Sequence, residues 1–262
     1  MIIAVAGPAD PLIAAYAHVG DHAWLRSQAL FVAEGRLVVR RLLESGRFPL
    51  HSILLTPAAL QSFGAAIDTD APVYVADQDV VNRVTGIEFH RGCLALAWRP
   101  TGDDESGARF AEARLLLAVE GVGNPDNIGG LFRVAAAFAT DGLLLDPTSG
   151  DPFYRKAVRT SMGAVLEVPF QRLSPWPASL EDYQQLDFEI VALTPAADAP
   201  SIDEFVRETH RGLIVMVGAE GDGLSDAALE IADTSVRIPT SHAVDSLNVT
   251  VAAGIALARL FR

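Results

Sequence analysis

From residue 115 onward the chain alternates short, predominantly apolar runs with amphipathic stretches of helical period. The apolar runs are Leu115–Val119 and residues 143–145, 165–169, 190–193, 213–217 and 236–238. Between and after them, residues 128–139, Asp226–Ile231 and residues 247–261 carry helical spacing. A strand apolar on both faces has no side to offer water. Such strands therefore belong to a parallel sheet covered by helices above and below. The expectation is an α/β fold whose ligands sit beyond the carboxyl ends of the strands.

Ahead of this region lies a shorter one of similar character. Residues 31–43 have helical apolar spacing, with Gly46 as a stop. Residues 52–55, Val73–Val75 and Cys93–Trp98 read as buried strands, so a small α/β module is expected there. The polar, glycine-bearing stretch 101–107 follows Pro100 and reads as a linker. The expected domains are therefore 1–101 and 108–262.

Charge and cysteine content narrow the function classes. The net charge of −13 opposes indiscriminate binding to a polyanion, so a nucleic-acid partner requires a local basic patch. The best candidate is DPFYRKAVRTSMG (151–163), with Arg155, Lys156 and Arg159; Lys156 is the chain's single lysine. Arg26, Arg36, Arg40, Arg41 and Arg91 add positive charge to the first region. Cys93 is the single cysteine, which excludes an intramolecular disulfide and a cysteine metal cluster. The six histidines are scattered without metal or triad spacing, so no metal is expected. No run approaches membrane-spanning length, and a cytoplasmic setting without a membrane partner is expected.

Three blocks lie at strand-to-helix junctions. In NPDNIGGLFR (124–133), Asn127 reads as a helix cap, with Arg133 about one and a half turns on. GAEGDGLS (218–225) lacks the Lys-Ser/Thr of a phosphate loop and carries Glu220 and Asp222, so it suits a hydroxyl-bearing or cationic ligand. SLNVTVAAG (246–254) opens the last helix, with Ser246 or Asp245 as its cap. The small residues Ala252, Ala253, Gly254 and Ala256 suit close packing. The further apolar surface of Leu257, Leu260 and Phe261 suggests burial against a second subunit. An ordinary capped helix or a tight turn also accounts for each block taken alone.

Taken together and in order, these blocks with RTSMG and IPT resemble the SpoU (TrmH-like) branch of the SPOUT RNA methyltransferases. FVAEG (31–35) and HRG (90–92) resemble the small L30e-like RNA-binding module that precedes many SpoU domains. The resemblance implies an S-adenosylmethionine-dependent 2′-O-ribose methyltransferase of rRNA or tRNA. It further implies a C-terminal trefoil knot and a homodimer. It implies that Arg133, Ser246 and Asn248 are catalytic, with Asn127 and Glu220 in support. The donor would lie against Gly218, Ile238 and Leu247, with Thr194 at the end of a neighbouring strand. A catalytically inactive SpoU-like RNA-binding protein is the alternative, opposed by the intact Arg133, Ser246 and Asn248.

Overall fold

The computed structural model describes residues 1–63, 67–86, 88, 92–100, 110–207, 211–241 and 246–260. The expected linker 101–107, together with His90, Arg91, Asp245 and Phe261, lies outside the described residues. Two units emerge: Met1–Thr101 with Pro152–Glu167, and Gly102–Asp151 with Val168–Arg262.

In the first unit the strands are β1 (Ile2–Ala4), β2 (Leu30–Glu34), β3 (Leu50–Leu55), β4 (Val73–Val75) and β5 (Cys93–Trp98). They form one mixed sheet in the order β1-β4-β3-β5-β2. The first three are parallel neighbours, whereas β5 runs antiparallel to both β3 and β2. The helices are α1 (His22–Ser27), α2 (Arg36–Ser45), α3 (Pro57–Phe63) and α4 (Gln78–Thr85). The helix expected over 31–43 is instead a strand followed by a helix. Residues 30–34 are buried throughout, and Gly35 at φ +91 turns the chain between the two elements. Four apolar residues before Glu34 carry no period of their own, and pairing with β5 decides their state.

The second unit begins with β6 (Leu115–Val119), α5 (Pro125–Ala137) and β7 (Gly142–Leu145). The chain then contributes Pro152–Glu167 to the first unit, where α6 (Arg155–Thr160) packs on β2. Phe153, just before α6, stacks against Phe31 and Phe48 with ring centroids at 4.9 and 5.6 Å. The second unit resumes with β8 (Phe170–Arg172), α7 (Glu181–Gln184), β9 (Phe188–Leu193) and β10 (Gly212–Val217). It ends with α8 (Asp226–Ile231), β11 (Thr234–Val236) and α9 (Val249–Leu260).

All six of its strands are parallel, in the order β11-β9-β10-β6-β7-β8. Leu116, Leu144, Ile190, Ile214 and Met216 on one face pack with Tyr183 and Ala228 of α7 and α8. The alternate residues Leu117, Leu143, Val191 and Val215 are equally buried, and α9 and α5 lie against β10 and β7. Both faces of the central strands are covered, as their apolarity requires.

The strand expected over 165–169 is a one-turn 3-10 helix, Ala164–Leu166, and the sheet pairing falls on β8. Pro169 has no N–H to give a ladder; its carbonyl accepts from Leu143 N at 3.0 Å and pairing starts beyond it. The apolar end of α9 is also used differently than expected. Leu257 and Leu260 are buried within the chain's own core. Among the described residues of α9, Val251 is a large apolar side chain that faces outward. No described helix is long and apolar enough to cross a membrane.

Candidate active site

Parallel pairing places the carboxyl ends of β6, β9, β10 and β11 along one edge of the second sheet. The three sequence blocks emerge there. After β6 the chain reaches α5, whose cap is Asn124 rather than Asn127. Asn124 Oδ1 accepts from Asp126 N at 2.9 Å, and Pro125 occupies the first helical position, where a missing N–H costs nothing. Asn127 therefore sits inside the first turn, buried, with its side chain free to serve another purpose.

That purpose is set by Asn248, which caps α9. Its Oδ1 accepts from Thr250 N at 3.0 Å and Val251 N at 3.4 Å. With the oxygen committed to the helix, the amide nitrogen faces the other way. Nδ2 donates to Asn127 Oδ1 at 3.0 Å and to Glu220 Oε1 at 2.5 Å. One side chain thus ties the start of α5, the loop after β10 and the start of α9. The two helices are close: a Cβ on Gly130 would lie 2.6 Å from Thr250 Oγ1, a separation that only glycine tolerates.

Glu220 is carried on a tight turn in which Gly223 N donates to Ala219 O at 3.0 Å. Gly218, at the base of the turn, has a different reason for being glycine than ligand space. A Cβ there would collide with the backbone of Gly223 and Leu224, so the loop's own closure excludes a side chain.

Two carboxylates that sequence reasoning missed brace this edge. Glu120 at the end of β6 accepts from Trp176 Nε1 at 2.8 Å, Ser225 Oγ at 2.7 Å and Ser225 N at 2.8 Å. Asp146, after β7, accepts from Gly121 N at 3.1 Å, Ser149 N at 2.8 Å and Thr148 N at 3.1 Å, and also from the Thr148 hydroxyl. Burial pushes the Asp146 carboxyl up, but these hydrogen bonds outweigh it and hold the group below its ordinary range. Both carboxylates stand just past apolar strands, a position that could have flagged them. The Asn124-Pro125 pair likewise announced the true cap.

Of the predicted site residues, Asn127, Glu220 and Asn248 are joined by hydrogen bonds. Arg133 is exposed, roughly 9 Å further along α5, and makes no hydrogen bond or ion pair among the described residues. Ser246 is exposed two residues before the cap. Thr194, Gly218 and Ile238 follow the neighbouring strands β9, β10 and β11, and all three are half-buried, as is Leu247 before α9.

Residues 114–258 match the model of the SpoU rRNA Methylase family. An uncharacterized tRNA/rRNA methyltransferase of Mycobacterium tuberculosis is 39% identical over 230 residues, covering 87% of this chain and 80% of that protein. Among solved structures, an AdoMet-bound rRNA methyltransferase from Sinorhizobium meliloti superposes with a TM-score of 0.81 at 20% identity, covering 98% and 97% of the two chains. An RNA 2′-O ribose methyltransferase superposes with a TM-score of 0.79 at 28% identity, covering 99% and 97%. The chain belongs to the SpoU family of RNA methyltransferases.

Proposed function

We propose that this protein uses S-adenosylmethionine to methylate a ribose 2′-hydroxyl of rRNA or tRNA. The observation that carries the reading is the Asn127–Asn248–Glu220 hydrogen-bonded group at the strand edge, with the unengaged Arg133 on the adjoining helix. The similarity to a solved RNA 2′-O ribose methyltransferase supports the choice of ribose. Thr194, Gly218, Ile238 and Leu247 fit the donor, because backbone and apolar side chains from neighbouring strands converge on one edge. When bound, the sulfonium supplies an electrophilic methyl group.

The chain's own contribution is orientation and charge. Both N–H groups of the Asn248 amide are already committed, so Asn248 acts as a positioning residue for Glu220. Glu220 Oε2, which makes no hydrogen bond among the described residues, accepts one from the 2′-hydroxyl and aims its oxygen. Ser246 steadies the same hydroxyl from the α9 side. Arg133 grips the adjoining phosphate with its planar fork; a guanidinium does not readily deprotonate to act as base, so the hydroxyl proton passes to Glu220 Oε2 as the oxygen–methyl bond forms and the methyl–sulfur bond breaks. The 2′-hydroxyl as target makes RNA the substrate over DNA.

Three further elements belong to this reading. They are a C-terminal trefoil knot, a homodimer in which α9 presents Val251, and cytoplasmic action. Mapping 2′-O-methylation in total RNA from a strain lacking the gene tests the function. Loss of one ribose methyl, restored by the purified protein with S-adenosylmethionine, is expected. An unchanged ribose map with a lost base methyl refutes it.

A further inference from the structure

The first unit contains a cavity of about 180 Å³ that the methyl-transfer site does not use. Its wall combines three cations, Arg155, Lys156 and Arg159, with the rings of His22 and Tyr154 over an apolar floor at Leu25. In a chain of net charge −13 this is a local reversal of sign. Two of these cations are tied to one acidic side chain. The buried carboxylate of Glu34 lies 3.5 Å from Arg155 Nε and 3.8 Å from Arg159 Nη1. One carboxylate thus stands against two guanidinium groups, which keeps this wall positive. Arg155 Nη1 is moreover buried with no hydrogen-bond partner, a donor that an incoming acceptor would satisfy.

The lining points to the ligand class. A volume near 180 Å³ exceeds the roughly 150 Å³ that admits a benzene ring. His22 and Tyr154 meet edge to face, with centroids 4.8 Å apart and planes at 80°, so the pair presents aromatic surface in two directions. Cations beside aromatic faces are what an unpaired nucleotide requires: phosphate on the charges, base on a ring. A folded duplex keeps its bases stacked inside and cannot offer one.

We propose that this cavity receives a single unpaired nucleotide of the RNA substrate, its phosphate on Lys156 and Arg159 and its base against Tyr154. The inference rests on the RNA-methyltransferase reading and adds a gripping site in the other unit. It also explains why DPFYRKAVRTSMG, inserted between two strands of the second sheet, concentrates charge and an aromatic side chain.

The test uses the full-length protein and three probes: a ten-nucleotide unstructured RNA, its fully paired duplex, and adenosine monophosphate. Binding is read by fluorescence anisotropy for the RNAs and calorimetry for the mononucleotide. S-adenosylmethionine binding is measured in parallel. Tyr154→Leu should weaken single-strand binding about fivefold or more, and Tyr154→Phe should restore it. Lys156→Ala and Arg159→Ala should each weaken it and lower the salt slope by about 0.7, which Tyr154→Leu should not do. Duplex and donor affinities should hold. Wild-type affinity for the single strand in all three variants overturns the cavity assignment while leaving the methyltransferase reading intact. A wild-type protein that binds the donor but no RNA overturns the RNA reading and the cavity with it. Adenosine monophosphate binding as tightly as the RNA makes this a small-molecule site and also overturns the proposal.

Discussion

Replacing Asn248 separates two functions carried by one amide. In Asn248→Ala the two N–H groups at the start of α9 lose their acceptor, which costs about 1 kcal/mol. The buried Asn127 oxygen loses its donor, which costs about 1 kcal/mol more. A total near 2 kcal/mol corresponds to roughly 4–8 °C in the melting of a unit this size. Asn248→Asp keeps the cap but sets a carboxylate against Glu220 Oε1, where the amide nitrogen now sits at 2.5 Å. Both groups are exposed, so the repulsion is of the order of 1 kcal/mol, as expected near water. Two carboxyls at contact share a proton, and the folded pair then titrates above the ordinary carboxyl value. A group that holds its proton more tightly when folded stabilises the protein at low pH, and this is lost as pH rises through the raised value. Thermal melts of Asn248→Asp should therefore fall, relative to wild type, between about pH 4 and about pH 6. Those of Asn248→Ala should stay parallel to wild type. A pH-independent Asn248→Asp offset would refute the Asn248–Glu220 contact, and an Asn248→Ala variant melting like wild type would refute the cap.

Gly218→Val should lose stability and donor binding together, because its side chain strikes the backbone of Gly223 and Leu224; melting and calorimetry must move in step. Arg133→Lys and Arg133→Ala should melt and bind donor like wild type yet lose methyl transfer about a hundredfold or more in a tritium-transfer assay. A lysine variant whose activity climbs with pH would instead make residue 133 a base. The Asp146 carboxyl, depressed by its hydrogen bonds, contributes stability that is full above the ordinary value of 3.8 and lost as pH falls below it. Asp146→Asn should accordingly be less stable at pH 7 and show a shallower acid loss in urea titrations.

The centre of the second sheet was legible because the apolar runs of β6, β7 and β10 call for helices above and below, whereas the end strands β8 (Phe170–Arg172) and β11 (Thr234–Val236) carry polar residues and lie off the expected runs. Asp226–Ile231 matches its sequence range, with Ser225 as its cap (Ser225 Oγ accepting from Ala228 N at 3.2 Å) and a clean period. Local signals failed where a partner decided the outcome. Residues 30–34 became a strand because β5 was there to pair with them. Asn127 looked like a cap because its use lies 121 residues away, at Asn248. Sequence proximity shows which side chains begin a helix. It does not show which two loops a third will join.

The assignment of Pro152–Glu167 to the first unit has a consequence for how such chains can be rearranged. The polypeptide passes between the units three times, at 101/102, 151/152 and 167/168. No single cut separates them. A fragment starting near Ala108 would carry α6 without β2, leaving Phe153, Ala157 and Val158, all buried in the intact protein, without their packing partners. An exchange of the amino-terminal module between relatives therefore has to bring residues 152–167 with it as a second graft. Recombination at one breakpoint would yield a mismatched seam, so the two units are inherited as a pair.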